Sequence, residues 1–190
     1  MPTEKLLVVD FDGTVIGCNS FPHYLNFLFA DGLRRRDLRL LVRLLRAALR
    51  RRLRASSHAR FKAQVIRLST DLDRESLSRW ADSLLREYGH PQVLDFITSW
   101  EGKKVLASGA PELYLRHFAE LLSLDGCVGS VLGSTGLIDN LGEAKLKRLA
   151  LRGYCEPEVV LSDDLSVDAP LLAAARVSYL VDGMGTLRRL

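Results

Sequence analysis

The chain has 190 residues, 27 Lys and Arg against 23 Asp and Glu, a formal net charge of +4 and 47% hydrophobic residues. That mixture excludes wholesale disorder and collagen-like repeats, and the length suits one α/β domain carrying an insertion. Apolar runs are far shorter than the ~20 residues that span a bilayer, and Cys18, Cys127 and Cys155 show no CxxC spacing for a disulfide framework or thiolate zinc.

Leu6–Asp10 is the first predicted strand, and its apolar stretch is too short for a secretory signal, so the expected compartment is cytoplasmic. Asn19–Trp100 contains no convincing strand; Leu, Arg and Ala recur there at helical spacing. Asp37 is placed to cap one helix, and Asp71 or Asp73 to cap another over Glu75–Tyr88 that stops at Gly89. A strand at Lys103–Ser108 precedes a helix at Pro111–Leu122 and a strand at Val128–Leu132. Gly133–Gly142 reads as a loop or small hairpin, followed by a helix at Glu143–Leu151. A strand at Val159–Asp163, a helix at Ala169–Ala175 and a strand at Val177–Val181 complete the chain. Short aliphatic strands alternating with helices predict a Rossmann-like α/β fold, a parallel sheet with helices on both faces. The helical block at residues 17–100 is then a cap inserted into a core made of residues 1–16 and 101–190.

Chemistry gathers where these strands end. Asp10 and Asp12 stand two apart in Asp10-Phe11-Asp12-Gly13-Thr14, just past a buried strand, where their repulsion calls for a cation or a shared proton. Asp163, Asp164 and Asp168 follow the fourth strand, where Asp164 or Asp168 could equally serve a helix N-terminus. Oxygen ligands without His or Cys favour Mg²⁺ over zinc. Ser108-Gly109-Ala110-Pro111 offers a hydroxyl and free backbone N–H groups to a phosphate, or a plain helix cap. Lys145 falls in the first turn of a helix, where the dipole disfavours a cation unless an anion is close.

In this order and spacing the chain resembles the haloacid dehalogenase-like superfamily over essentially its whole length. Within it the chain looks like the phosphoserine phosphatase-like branch, with a helical cap after the first motif. The motifs are Asp10–Thr14, then Ser108, then Gly142 with Lys145, Arg148 and Leu149, then Asp164 and Asp168 anchored on Pro170, with Asp163 replacing the usual Gly. The resemblance implies that Asp10 attacks phosphorus to give an aspartyl-phosphate, and that Asp12 protonates the leaving group and then activates water. It implies Mg²⁺ held by Asp10, the Asp12 carbonyl and Asp164, with Asp168 holding a metal-bound water or orienting Lys145. Phe11, Asp12, Ser108, Gly109 and Lys145 are the implied phosphate contacts. Dehalogenases of the superfamily lack the second acid, so Asp12 points to a phosphatase.

The cap should select the substrate, a small-molecule or lipid-headgroup phosphomonoester. Phosphoserine phosphatases generally carry a Glu seven residues after the second Asp, to bind the substrate amine; here that position is Asn19, although phosphoserine remains the rival substrate. Phe21–Leu28 is aromatic and apolar, either a packed cap core or a greasy entrance, and His23 reads as a polar edge residue. Residues 34–54 hold ten arginines and one acid, Asp37, a local +9 that leaves the rest of the chain at −5. Arg36, Arg39, Arg43, Arg46 and Arg50 line one helical face, and Leu38, Leu41, Val42, Leu44, Leu45, Ala48 and Leu49 cover much of the remainder. The stretch around Arg36–Arg54 is read as a solvated face over a packed cap, or as a peripheral contact with an anionic membrane. Nucleic acid ranks third, because no aromatics interleave with the arginines. A non-catalytic protein that docks through this helix is the alternative from outside enzymology.

Overall fold

Leu6–Val9 is an unbroken aliphatic run and forms β1, buried at every position. A computed structural model describes residues 5–69 and 72–190; Asp71, one of the two expected caps, lies outside them. β1 pairs in parallel with β2 (Lys103–Pro111) on one side and β5 (Val159–Ser162) on the other. β3 (Gly126–Gly133) extends the sheet beyond β2, and β6 (Val177–Val181) extends it beyond β5, both in parallel. Two short strands close the edges, β4 (Gly136–Ile138) beside β3 and β7 (Leu187–Arg189) beside β6, giving the order β4-β3-β2-β1-β5-β6-β7.

Both edge strands are antiparallel, so the sheet is mostly rather than wholly parallel. The reason is local. Ser134 and Thr135 turn the chain between the paired residues Gly133 and Gly136, a two-residue loop that suits only an antiparallel return. On the other edge Asp182 Oδ1 accepts from the N–H groups of Met184 and Thr186, tying the turn into β7.

Between β1 and β2 the chain runs through α1 (Ser20–Arg34), α2 (Leu38–Arg52), α3 (His58–Leu68), α4 (Arg74–Tyr88) and α5 (Pro91–Ser99). Four have side-chain caps on their first turns: Asn19 for α1, Asp37 for α2, Ser57 for α3 and Asp73 for α4. The chain enters and leaves the first four helices through a paired neck, where Gly17 N–H donates to the Tyr88 carbonyl and His90 N–H to the Val15 carbonyl. α5 then runs back along the sheet, its Phe96 ring 5.7 Å from Tyr179 of β6. The remaining crossovers are α6 (Glu112–Leu121), α7 (Glu143–Leu151) and α8 (Ala169–Ala174).

Alternation along β1 splits the core in two. Leu6 and Val8 face α7 and α8, with Leu149, Leu171 and Leu172. Leu7 and Val9 face the opposite way and join a far larger cluster that reaches from the sheet through α6 into α1–α4. Phe118 on α6 is its junction. Its ring lies 4.4 Å from Phe11 of the β1 loop and 5.7 Å from Trp80 of α4, while neighbouring Tyr114 packs 4.7 Å from Tyr24 of α1. The helical block is therefore seated on the sheet by one continuous apolar cluster. Phe118→Ala should cost about 3–5 kcal/mol. Because the cluster is shared, tryptophan fluorescence and far-UV circular dichroism should report a single coincident urea transition in the wild type.

Candidate active site

β1 lies where the crossovers diverge, towards β2 on one side and β5 on the other. In open α/β sheets the crevice beyond the carboxyl ends of such strands receives ligands. Asp10 is the first residue past β1, tied down by its N–H donating to the Leu161 carbonyl of β5. Its carboxylate is buried, and Oδ1 accepts from Lys145 Nζ at 3.0 Å. Lys145, in the first turn of α7, also donates to Asp168 Oδ2 at 2.8 Å and lies 2.7 Å from Asp168 Oδ1, out of hydrogen-bond direction. Ser162 Oγ completes the group by donating to Asp168 Oδ2 at 2.7 Å. Three chain-distant ionic groups thus meet in one buried cluster.

Burial opposes the charge on Lys145, but Asp10 and Asp168 outweigh it and hold the ammonium above the usual lysine range. Burial has the opposite consequence for Asp10, whose carboxyl is pushed up to about 7, with Asp168 and Asp12 adding repulsion against the pull of Lys145. Asp12 is also raised, chiefly by burial and further by Asp163, while bonds from Ser20 and the charge of Lys62 oppose the rise. Its Oδ1 accepts from Ser20 N–H at 2.8 Å, at the N-terminus of α1. A carboxyl held in this way can keep a proton and present it, as a general acid must. Cys18, nearby at the start of the insertion, has its thiol pushed up to about 11 by burial and by Asp12, so it stays an unreactive thiol.

The turn after β1 is locked to the end of β5. Thr14 Oγ1 donates to Asp163 Oδ1 at 3.0 Å and accepts from Asp163 N–H at 2.9 Å. Gly13 has φ +77°, and a Cβ there would run into the Asp163 carboxylate, so this close approach requires glycine. Asp164 Oδ1 instead accepts from Ser166 and Val167 N–H within its own turn. The adjacent acids therefore differ in setting: Asp163 stands against Thr14 and near Asp12, and Asp164 ties the loop before α8. Phe11 is fully buried with its ring against Phe118, and its carbonyl accepts from Val15 N–H at 2.9 Å, so neither its side chain nor its carbonyl serves the site.

Ser108 and Gly109 stand on the neighbouring strand end. β2 runs on through Pro111, three residues beyond the predicted end, and its pairing shifts from Ala107↔Val128 to Pro111↔Ser130. The intervening segment bulges from the ladder, so the helix starts one residue late, at Glu112. Ser108 Oγ accepts from Ala110 N–H. Fully buried Asn140 holds the bulge from behind, donating to the Ser108 carbonyl at 3.0 Å and the Val128 carbonyl at 2.9 Å. Arg148 donates to the Gly129 carbonyl and lies 3.7 Å from buried Glu112, a bracing role beneath the site.

Lys62 is the residue that motif reading missed. It projects from α3, buried, and donates to the Gly109 carbonyl at 3.0 Å and to Asp139 Oδ1 at 2.9 Å. It brings a cation from the helical block to the strand-end loop, close enough to act on Asp12. One signal existed: it is the only lysine among the fifteen arginines of residues 17–100. His90 is a second such residue, its Nδ1 2.9 Å from the Thr14 carbonyl beneath the first turn. His23 lies against Tyr88, ring centroids 4.9 Å apart, and Asn19 Oδ1 accepts from Phe21 N–H to cap α1.

The haloacid dehalogenase-like hydrolase family model matches residues 7–173. The chain belongs to this family of hydrolases. Solved structures agree on the fold. A protein of unknown function from Bordetella pertussis Tohama I is 17% identical with a TM-score of 0.61, over 90% of this chain and 87% of that one. A probable phosphoserine phosphatase from Vibrio cholerae is 16% identical with a TM-score of 0.58, over 92% of this chain and 55% of that one. A phosphoserine phosphohydrolase-like protein from Francisella tularensis is 16% identical with a TM-score of 0.50, over 92% and 85%. No curated protein sequence matches.

The donors at this edge fit a hard divalent cation. Among the described residues, no three His, Cys, Asp or Glu side chains form a ready-made metal cage. Mg²⁺ needs none, since it commonly takes one or two carboxylates, with waters and substrate phosphate filling the other positions. Burial, with added repulsion from Asp168 and Asp12, raises Asp10, and a nearby cation would favour its ionised form. Removing the internal cation should be costly. Lys145→Met leaves two buried carboxylates facing each other and should lose about 3 kcal/mol at neutral pH, measured by urea titration. The loss should shrink as acidification protonates the pair.

Proposed function

We propose that this hydrolase is a Mg²⁺-dependent phosphomonoesterase that uses Asp10 as nucleophile and Asp12 as general acid and base. The observation that carries this reading is the pair itself: two carboxyls at one strand end, in different surroundings. Asp10 is oriented by Lys145, and Asp12 is held at the start of α1 with its affinity for protons raised by burial. Asp10 would attack phosphorus in line while Asp12 gives its proton to the departing alkoxide. Asp12, now ionised, would take a proton from the water that cleaves the aspartyl-phosphate and so regenerate both groups. The backbone at Phe11 and Asp12, together with Ser108, Gly109 and Lys145, would meet the phosphoryl oxygens. Asp10, the Asp12 carbonyl and one of Asp163 and Asp164 would hold Mg²⁺, which supplies charge neutralisation between carboxylate and phosphate. Asp168 would act by fixing Lys145.

The substrate is a small or lipid-linked phosphomonoester. Two of the solved structures sharing the fold are a phosphoserine phosphohydrolase-like protein and a probable phosphoserine phosphatase, which supports phosphate ester chemistry. Phosphoserine is less favoured, because Asn19 is neutral and already engaged as a helix cap. The three cysteines are unpaired, consistent with a reducing cytoplasm.

Hydrolysis of p-nitrophenyl phosphate should require Mg²⁺, and Asp10→Asn should abolish it; metal-independent turnover or an active Asp10→Asn enzyme would overturn the proposal. Asp12→Ala should cost about 10²–10⁴-fold on alkyl phosphates. The loss should be smaller on p-nitrophenyl phosphate, whose stabilised leaving anion needs little protonation. Mg²⁺ should also raise the melting temperature of the wild type more than that of Asp10→Asn.

A further inference from the structure

α2 is only narrowly rooted in the protein. It buries Leu41, Leu44 and Ala47 against its neighbours. Four other aliphatic residues recur at the i, i+4, i+7, i+11 spacing of a second stripe and stay in solvent: Leu38 at 72% exposure, Val42 at 45%, Leu45 at 60% and Leu49 at 55%. Leu53, at 68%, continues the stripe past the helix end, and Leu33 at 66% stands just before α2. Exposed leucines are common singly, but a continuous stripe of this kind marks a contact surface.

The stripe is bordered by Arg39, Arg43, Arg46 and Arg50, all exposed, and α2 contains no acid. Beside it a cleft of about 830 Å³ opens between α2, α3 and the β3–β4 turn. Arg43, Arg50, Arg60 and Arg67 line it, again with no acidic residue, and Gln64 and Thr135 add polar groups. An apolar stripe side by side with a purely cationic one is the requirement for a helix lying in a lipid–water interface: leucines enter the acyl boundary while guanidiniums meet headgroup phosphates. A partner protein would more commonly offer a polar rim of both signs, and nucleic acid would leave the leucine stripe unused. No helix of the described residues is long and apolar enough to cross a membrane.

We propose that the outward face of α2 docks the protein flat on an anionic lipid bilayer, with Leu38, Val42, Leu45 and Leu49 inserted and the adjacent arginines binding headgroup phosphates. α3 packs on α2 and carries Lys62 to the Gly109 loop, so the docked face lies one helix away from the active site. This surface is independent of the phosphatase chemistry and can be tested without it.

Co-sedimentation with phosphatidylcholine vesicles, with and without phosphatidylglycerol, provides the test. The wild type should bind the anionic vesicles and not the neutral ones, and added salt should weaken binding. L38Q/V42Q/L45Q/L49Q should reduce partitioning tenfold or more, and Arg46→Gln about fivefold. Both should retain wild-type turnover of soluble p-nitrophenyl phosphate. Should the quadruple variant lose helicity by circular dichroism, Leu45→Glu and Leu49→Glu singly give the same readout. No binding by the wild type, equal binding to neutral vesicles, or full binding by the leucine variants would overturn the proposal. So would tighter binding to an oligonucleotide, or self-association in solution that the leucine variants abolish.

Discussion

The buried ammonium of Lys145 is the contact on which the strand-end site depends. It draws together Asp10 from the end of β1 and Asp168 from the start of α8, which otherwise repel each other in a medium that favours neither charge. Burial of one cation between two anions is stable only when further bonds satisfy the remaining lone pairs, and Ser162 contributes one of them. The arrangement leaves the site with more negative charge than its own lysines neutralise. Under the proposed reading, Mg²⁺ and a phosphate ester would complement that imbalance: one would supply positive charge, and the other would be the anion the cation attracts.

Around this centre the fold works by close backbone approach. Thr14 and Asp163 lock two strand ends together across a glycine that has no room for a side chain. The bulge at Ser108–Ala110 is braced by Asn140 behind and by Lys62 from the helical block. Phe118 and its aromatic neighbours join that block to the sheet, so Lys62 is delivered by packing many residues away from the chemistry. The helical block and the strand-end site thereby share one apolar cluster.

α2 sits at the outer limit of that cluster and departs from the economy of the rest. The sequence admits a simple reading in which its leucines pack inward and its arginines face water. The structure divides the leucines into a buried set, Leu41 and Leu44, and an exposed one, Leu38, Leu45 and Leu49. The exposed set lies against the arginines, which turns a charged helix into an amphipathic surface of unusual composition.

The sequence alone determined the alternation of strands and helices, the strand-end acids and the family, because buried parallel strands are continuous aliphatic runs and the motif lies within a few contiguous residues. It also located the starts of α2 and α4 through Asp37 and Asp73, since such capping joins a side chain to an N–H only three residues on. Longer range decided the rest. The β3–β4 hairpin was one of two readings open for Gly133–Gly142 and only the pairing decided it, β7 lies past the last strand the sequence suggested, and the extension of β2 depends on the partner strand. The different settings of Asp163 and Asp164 follow from Thr14, 149 residues away. Lys62 enters the site only because α3 packs over the strand ends. Which leucines of α2 meet protein and which meet solvent was likewise a tertiary outcome, since helical periodicity shows that two stripes exist but cannot tell which one finds a neighbour.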